Sequence, residues 1–146
     1  YACPVEVLMD ERPPRTAAIP VTEPMVIMRG MWADAGIGEG RLAVMARVGQ
    51  PKTYFVSRWN DSPAGVSFLA MHKGIGMVHA LEILPIMRRE GLGRWLMQRA
   101  AFWVKENGGH TLSVICTDAN AAANGLYTSL GMTVVGQYHY RIMPED

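Results

Sequence analysis

The chain has 146 residues, of which 49% are apolar and 18% charged, and its formal net charge is +1. That composition supplies one core for one domain over 1–146 and lacks the low hydrophobicity of a disordered chain. The weak overall field argues against nucleic-acid binding. The one concentrated basic cluster is Arg88 and Arg89 with Arg94 and Arg99 nearby, which suits a compact anion better than a duplex.

In chain order, residues 2–9 alternate as a first strand, and 11–20, with Pro13, Pro14 and Pro20, read as a linker. Thr22 can cap a helix that carries Met25, Ile27, Met28, Met31 and Trp32 on one face. The glycines of 36–40 break it, and 41–48 form a shorter second helix. The period then changes. Residues 53–59 are a strand, 60–63 a turn, 64–72 a second strand, 73–76 a hairpin turn, and 77–84 a third strand ended by Pro85. Leu92, Leu96, Ala100 and Val104 recur at helical spacing over 92–107, which closes on Asn107, Gly108 and Gly109. Residues 111–117 form a buried strand, Asp118 can cap a helix over 119–130, and 133–142 add one or two strands. The order β-αα-βββ-α-β-α-β implies an α/β mixed sheet with helices on both faces.

Cys3 and Cys116 lie in apolar runs and read as buried free thiols of a cytosolic protein. No run of 18 apolar residues predicts a membrane span, and no signal peptide is visible. A cytoplasmic location is therefore expected. The chain begins at Tyr1, so the domain over 1–146 is read as standing alone or as a fragment of a longer chain. The 11 methionines read mainly as flexible core filling.

The stretch 82–94 is the most informative. A strand ends at Ile83, Leu84 and Pro85, a basic loop with Gly91 and Gly93 follows, and a helix starts. Glycine permits close backbone approach and positive φ. Free N–H groups and the dipole at a helix start attract an anion, and Arg88, Arg89 and Arg94 add charged donors. The dinucleotide fingerprint fails for want of a third glycine, and the Walker pattern lacks Gly-Lys-Ser/Thr.

Arg88, Arg89, Glu90, Gly91, Leu92 and Gly93 together resemble the acetyl-CoA signature Q/R-x-x-G-x-G/A of the GNAT acetyltransferases. Downstream, Asn120, Ala123, Leu126, Tyr127 and Gly131 resemble that family's N-x-x-A-x-x-L-Y-x-x-x-G-F, with Met132 in place of its final Phe. The element order is similar over nearly the whole chain. The resemblance implies a GNAT fold and transfer of an acetyl group from acetyl-CoA to a primary amine by direct attack. It places the co-substrate in a gap between the strands 77–84 and 111–117. It further implies that the backbone of Arg89, Glu90, Gly91, Leu92, Gly93 and Arg94 holds the pyrophosphate. The backbone of Leu81, Glu82 and Ile83 would pair with the pantetheine arm, an N–H near Ile83 would polarise the thioester carbonyl, and Asn120 would contact the arm. Tyr127 takes the family position of the general acid that protonates the leaving thiolate.

The base is less defined. Glu82 is a carboxylate in an apolar strand, where a salt bridge or a solvent-facing position competes with a catalytic role. His79, three residues earlier, falls on the opposite face by parity, and His139 lies near the family's acceptor-side wall. No cluster has metal-ligand spacing, so no metal is expected. The acceptor, a small-molecule or peptide amine, is expected against 22–48, with Trp32 and the glycines 36, 38 and 40 as an aromatic-bearing mobile lid. A homodimer stays open. The competing reading is a CoA-binding module without catalysis.

Overall fold

The computed structural model describes residues 1–60, 62–85 and 91–137. Strand β1 spans Ala2–Pro4 and β2 Ile19–Val21; helices α1, Val26–Asp34, and α2, Glu39–Arg47, follow. Three long strands come next: β3 Lys52–Trp59, β4 Ser62–His72 and β5 Ile75–Ile83. Helix α3 is Leu92–Glu106, β6 is Thr111–Val114 and α4 is Ala121–Ser129. Among the described residues, six strands form one sheet in the order β1-β6-β5-β4-β3-β2, in which only β5 and β6 run parallel.

The elements from β3 to α4 lie where local pattern puts them. In β3, Phe55 faces one side of the sheet and Tyr54 and Val56 the other, the period of a strand covered on both faces. Helices α3 and α4 cover the first side, where Leu96, Met97, Ala100 and Val104 meet Leu69, Val78 and Leu112. Helices α1 and α2 cover the second, where Met28, Met31, Trp32 and Met45 meet Val66 and Phe68. Burial of each such large side chain contributes about 1.5–3 kcal/mol. The methionines of α1, α2 and α3 are thus core, as expected.

The N-terminal third departs from expectation. The first strand stops at Pro4, and Val5–Leu8 forms a 3-10 turn that buries Val5 and Leu8 while Val7 stays exposed. Alternation and a three-residue period coincide over so short a run. The linker contains β2, whose Ile19, Pro20 and Val21 pair with Val56, Phe55 and Tyr54. Proline is tolerated there because β2 is a sheet edge. Helix α1 starts after Met25 rather than Thr22. Glu23 precedes Pro24 and is thereby biased to extended backbone, which delays the helix.

Strand β1 sits deeper in the sheet than a first strand read from sequence suggests. Ala2 pairs with Ser113 on one side and bridges Thr133 on the other. Both main-chain bonds to Thr133 form, at 2.8 and 3.0 Å. Of the closing strands expected over 133–142, this bridge at Thr133 is present, 134–137 are not strand, and residues from 138 onward lie outside the described residues. Cys3 and Cys116 are free thiols, Cys3 buried and Cys116 half-buried. No helix among the described residues is long and apolar enough to cross a membrane.

Candidate active site

Strands β5 and β6 pair at Ile75 with Thr111, Gly76 with Leu112, Met77 with Ser113 and Val78 with Val114, and there the ladder ends. Beyond this point, the fork, β5 runs on to Ile83 while β6 ends. Two local features explain the fork. Val114 exchanges both of its main-chain hydrogen bonds with Tyr1, at 3.0 and 3.1 Å, on the side away from β5. Beyond Val114 the chain leaves the extended conformation of β6, which is three residues shorter than the 111–117 expected.

The second feature is a bulge in β5. Phe68 pairs with His79 and Val66 with Glu82, so two β5 residues, Ala80 and Leu81, stand opposite Ser67 alone. Ala80 takes φ +54°, which an L-residue adopts only under constraint. The constraint is the Trp32 indole, which donates to the Ala80 carbonyl at 2.8 Å. A bulge bends its strand and increases the local twist, and this one begins two residues past the last β5–β6 pair, at Val78. The β5–β6 ladder thus ends before Leu81, Glu82 and Ile83.

The bulge also corrects the parity argument for His79. Val66 and Phe68 lie on one face of β4, so their partners Glu82 and His79 share that face rather than opposing each other. It is the face covered by α1 and α2. The His79 imidazole is held below its usual pKa, first by burial and then by Arg41.

Trp32 is likewise not a lid residue: it is 0% exposed. The segment after α1 is tied down through the Ile37 N–H to the Trp32 carbonyl at 2.8 Å, with Ile37 buried.

At the start of α3, Gly91 is the N-cap in left-handed backbone, φ +81° and ψ 7°. Among the described residues no side chain caps this end, and no acidic residue occupies the first turn. The first-turn N–H groups and the exposed Arg94 therefore present positive potential to an anion. Gly93 serves a packing need, since a Cβ there would lie 3.0 Å from the Leu126 side chain of α4. Leu92 is buried under the helix. Arg88, Arg89 and Glu90 of the expected phosphate loop lie outside the described residues, as does His139.

Helix α4 borders the fork. Its N-cap is Asn120, whose Oδ1 accepts from the Ala123 N–H at 3.1 Å. Asp118, expected as the cap, lies in the preceding turn. Tyr127 is 3% exposed, and its ring meets Tyr1 with centroids 5.5 Å apart. Burial first, then Cys116 and Glu82, hold its phenol well above the ordinary tyrosine range. Glu82 belongs to one arm of the fork and Cys116 to the other, so the phenol senses both. Beside the β6 arm a cavity of about 360 Å³ opens, lined by Tyr1, Cys116, Asn124 and Gly136 among others. No group of three or more His, Cys, Asp or Glu among the described residues gathers as a metal site.

Sequence reasoning did not single out Tyr1, Asn124 or Ala80. Only a positive-φ alanine and a pairing across 123 residues disclose them, and neither leaves a local signal.

Comparison with known proteins agrees with this architecture. Residues 24–132 match the model of the acetyltransferase (GNAT) family. The chain is 24% identical over 104 residues to the uncharacterized N-acetyltransferase YobR of Bacillus subtilis (strain 168), a match covering 71% of this chain and 42% of that protein. The chain thus spans about two fifths of that curated relative. An aminoglycoside N-acetyltransferase, AAC(6')-Iy, solved in complex with CoA, superposes with a TM-score of 0.62 at 14% identity, over 80% of this chain and 90% of that one. An IAA acetyltransferase from Bacillus cereus ATCC 14579 gives 0.66 at 18% identity, over 77% and 73%. These likenesses show the shared fold. With a forked mixed sheet, a glycine-capped α3 and a family match over well over half of the sequence, the chain belongs to the GNAT acetyltransferase family.

Proposed function

We propose that the chain carries an N-acetyltransferase site that uses acetyl-CoA and a primary amine, with the reaction at the fork between β5 and β6. The observation that carries this reading is the end of the ladder at Val78 and Val114, which leaves an extended backbone edge beside a buried tyrosine. Such an edge accepts the amide-bearing pantetheine arm as a strand would be accepted. The start of α3, with Gly91, Leu92, Gly93 and Arg94, suits its pyrophosphate, to which the loop residues Arg88, Arg89 and Glu90 would add.

Acetyl-CoA supplies an activated acyl carbon and a thiolate leaving group. An N–H near Ile83 would stabilise the oxyanion, a contribution of about 3 kcal/mol per donor. Glu82, directly or through water, would take a proton from the attacking amine. Attack forms the C–N bond and the tetrahedral oxyanion; its collapse breaks the C–S bond, and the Tyr127 hydroxyl gives its proton to the departing sulfur. Its raised pKa keeps that proton in place across neutral pH. The acceptor is expected on the α1 and α2 face, where Glu82 points, and is a small-molecule or peptide amine.

Isothermal titration with acetyl-CoA, followed by thiol release across an amine panel, tests the reading. Binding with turnover on at least one amine is expected. Tyr127→Phe should lower kcat about 10- to 1,000-fold while KM for acetyl-CoA barely moves. Binding without turnover on any amine would reject catalysis in favour of a CoA-binding module. An unchanged kcat in the Phe variant, with chemistry limiting, would return Tyr127 to a packing role.

A further inference from the structure

Asn124 gathers an unusual number of partners for a half-exposed helix residue. Its Nδ2 donates to the Asn120 carbonyl at 2.8 Å and the Thr117 carbonyl at 3.0 Å. Its Oδ1 accepts from the Tyr1 hydroxyl at 2.8 Å and from the Cys116 thiol at 3.6 Å. One side chain thereby links the open arm of β6, the start of α4 and strand β1. Burial raises the Cys116 pKa, so the thiol stays a donor at neutral pH. The amide is matched to its surroundings: three carbonyls, with that of Asp118 the most distant at 3.5 Å, face its NH2, and two protonated donors face its oxygen. Neither a carboxylate nor an aliphatic side chain reproduces that pattern.

These bonds converge on Tyr127. The Tyr1 ring that packs on Tyr127 is the one whose hydroxyl Asn124 holds. Asn124 and Tyr127 are three residues apart and share a face of α4. The fork also depends on this corner, because Tyr1 takes both main-chain groups of Val114.

We propose that Asn124 is a positioning residue: through Tyr1, Cys116 and Thr117 it holds the β6 arm of the fork and seats the Tyr127 phenol there. The catalytic consequence rests on the acetyltransferase reading, whereas the placement of Tyr127 does not. The titratable groups around the phenol are Cys116 from the chain after β6, Tyr1 just before β1, whose ring packs on it, and Glu82 of β5, whose charge reaches it from the other face of the sheet.

The test compares Asn124→Leu, which removes all these bonds at similar size, with Tyr1→Phe, which removes one hydroxyl and keeps the ring. With an amine on which the parent turns over, Asn124→Leu should lower kcat about 10-fold, as expected for a small misplacement of a reacting group, with a smaller change in KM for acetyl-CoA. Tyr1→Phe should give part of that loss and add little to Asn124→Leu, because the two share one interaction. Independently of activity, NMR of 13C-labelled tyrosine, with Tyr127 assigned from Tyr127→Phe, should show its titration moving down toward the ordinary range near 10 in both variants. Full kcat and an unshifted Tyr127 titration in either folded variant would overturn the proposal. If Asn124→Leu does not fold, Tyr1→Phe alone decides. If the parent turns over no amine, the acetyltransferase reading fails and the titration still decides the placement.

Discussion

Trp32→Phe tests whether α1 shapes the site. The indole N–H donates to the half-buried Ala80 carbonyl at 2.8 Å, and removing it costs about 1–2 kcal/mol. Trp32 is fully buried between Met28, Tyr54 and the sheet, so the smaller ring leaves a void that costs about another 1–2 kcal/mol on the scale of large-to-small core changes. The sum, about 2–4 kcal/mol, lowers Tm by about 4–16 °C for a domain of this size. Without its donor the Ala80 bulge can relax, which misaligns the edge of Leu81, Glu82 and Ile83. The Kd for acetyl-CoA, measured by titration well below the variant's Tm, should rise several-fold. Met28→Leu is the control: it alters the same core at a cost of under about 1.5 kcal/mol without touching the bulge, and should leave Kd alone. An unchanged Kd in Trp32→Phe would mean that the β4–β5 ladder holds the bulge by itself, and the argument from Trp32 would fail.

Two further outcomes follow from the geometry. Gly91→Ala places an L-residue at φ +81°, at a cost of about 1–2 kcal/mol; among the described residues its Cβ meets no atom within 4 Å. Calorimetry should show a Tm lower by about 2–8 °C, and titration a Kd for acetyl-CoA raised more than about 10-fold because the methyl enters the anion's space. A change in Kd under about two-fold would place the pyrophosphate elsewhere. For pH, His79 binds protons less readily folded than unfolded, through burial and Arg41. Stability is therefore complete above about pH 6.5 and declines as pH falls below it. The urea midpoint should drop between pH 7.5 and 5.5, and drop less in His79→Gln; equal drops would exclude His79 as the cause.

Much of the architecture was legible locally. Helix α3 and strands β3, β4 and β5 follow from side-chain period and from the glycines and prolines at their ends, signals that act over a few residues. The loop before α3 and the Tyr127 segment carried enough pattern to indicate the family. The tertiary structure decided the rest. That β1 lies between β6 and Thr133, and not at a hairpin edge, depends on partners over 100 residues away. Asn120 rather than Asp118 caps α4: its Oδ1 reaches the Ala123 N–H, while Asp118 lies in the turn before it. The shared face of His79 and Glu82 was misread because a period of two counts correctly only until a bulge inserts a residue. That insertion is stabilised by an indole 48 residues away along the chain, so no rule of spacing within β5 can register it.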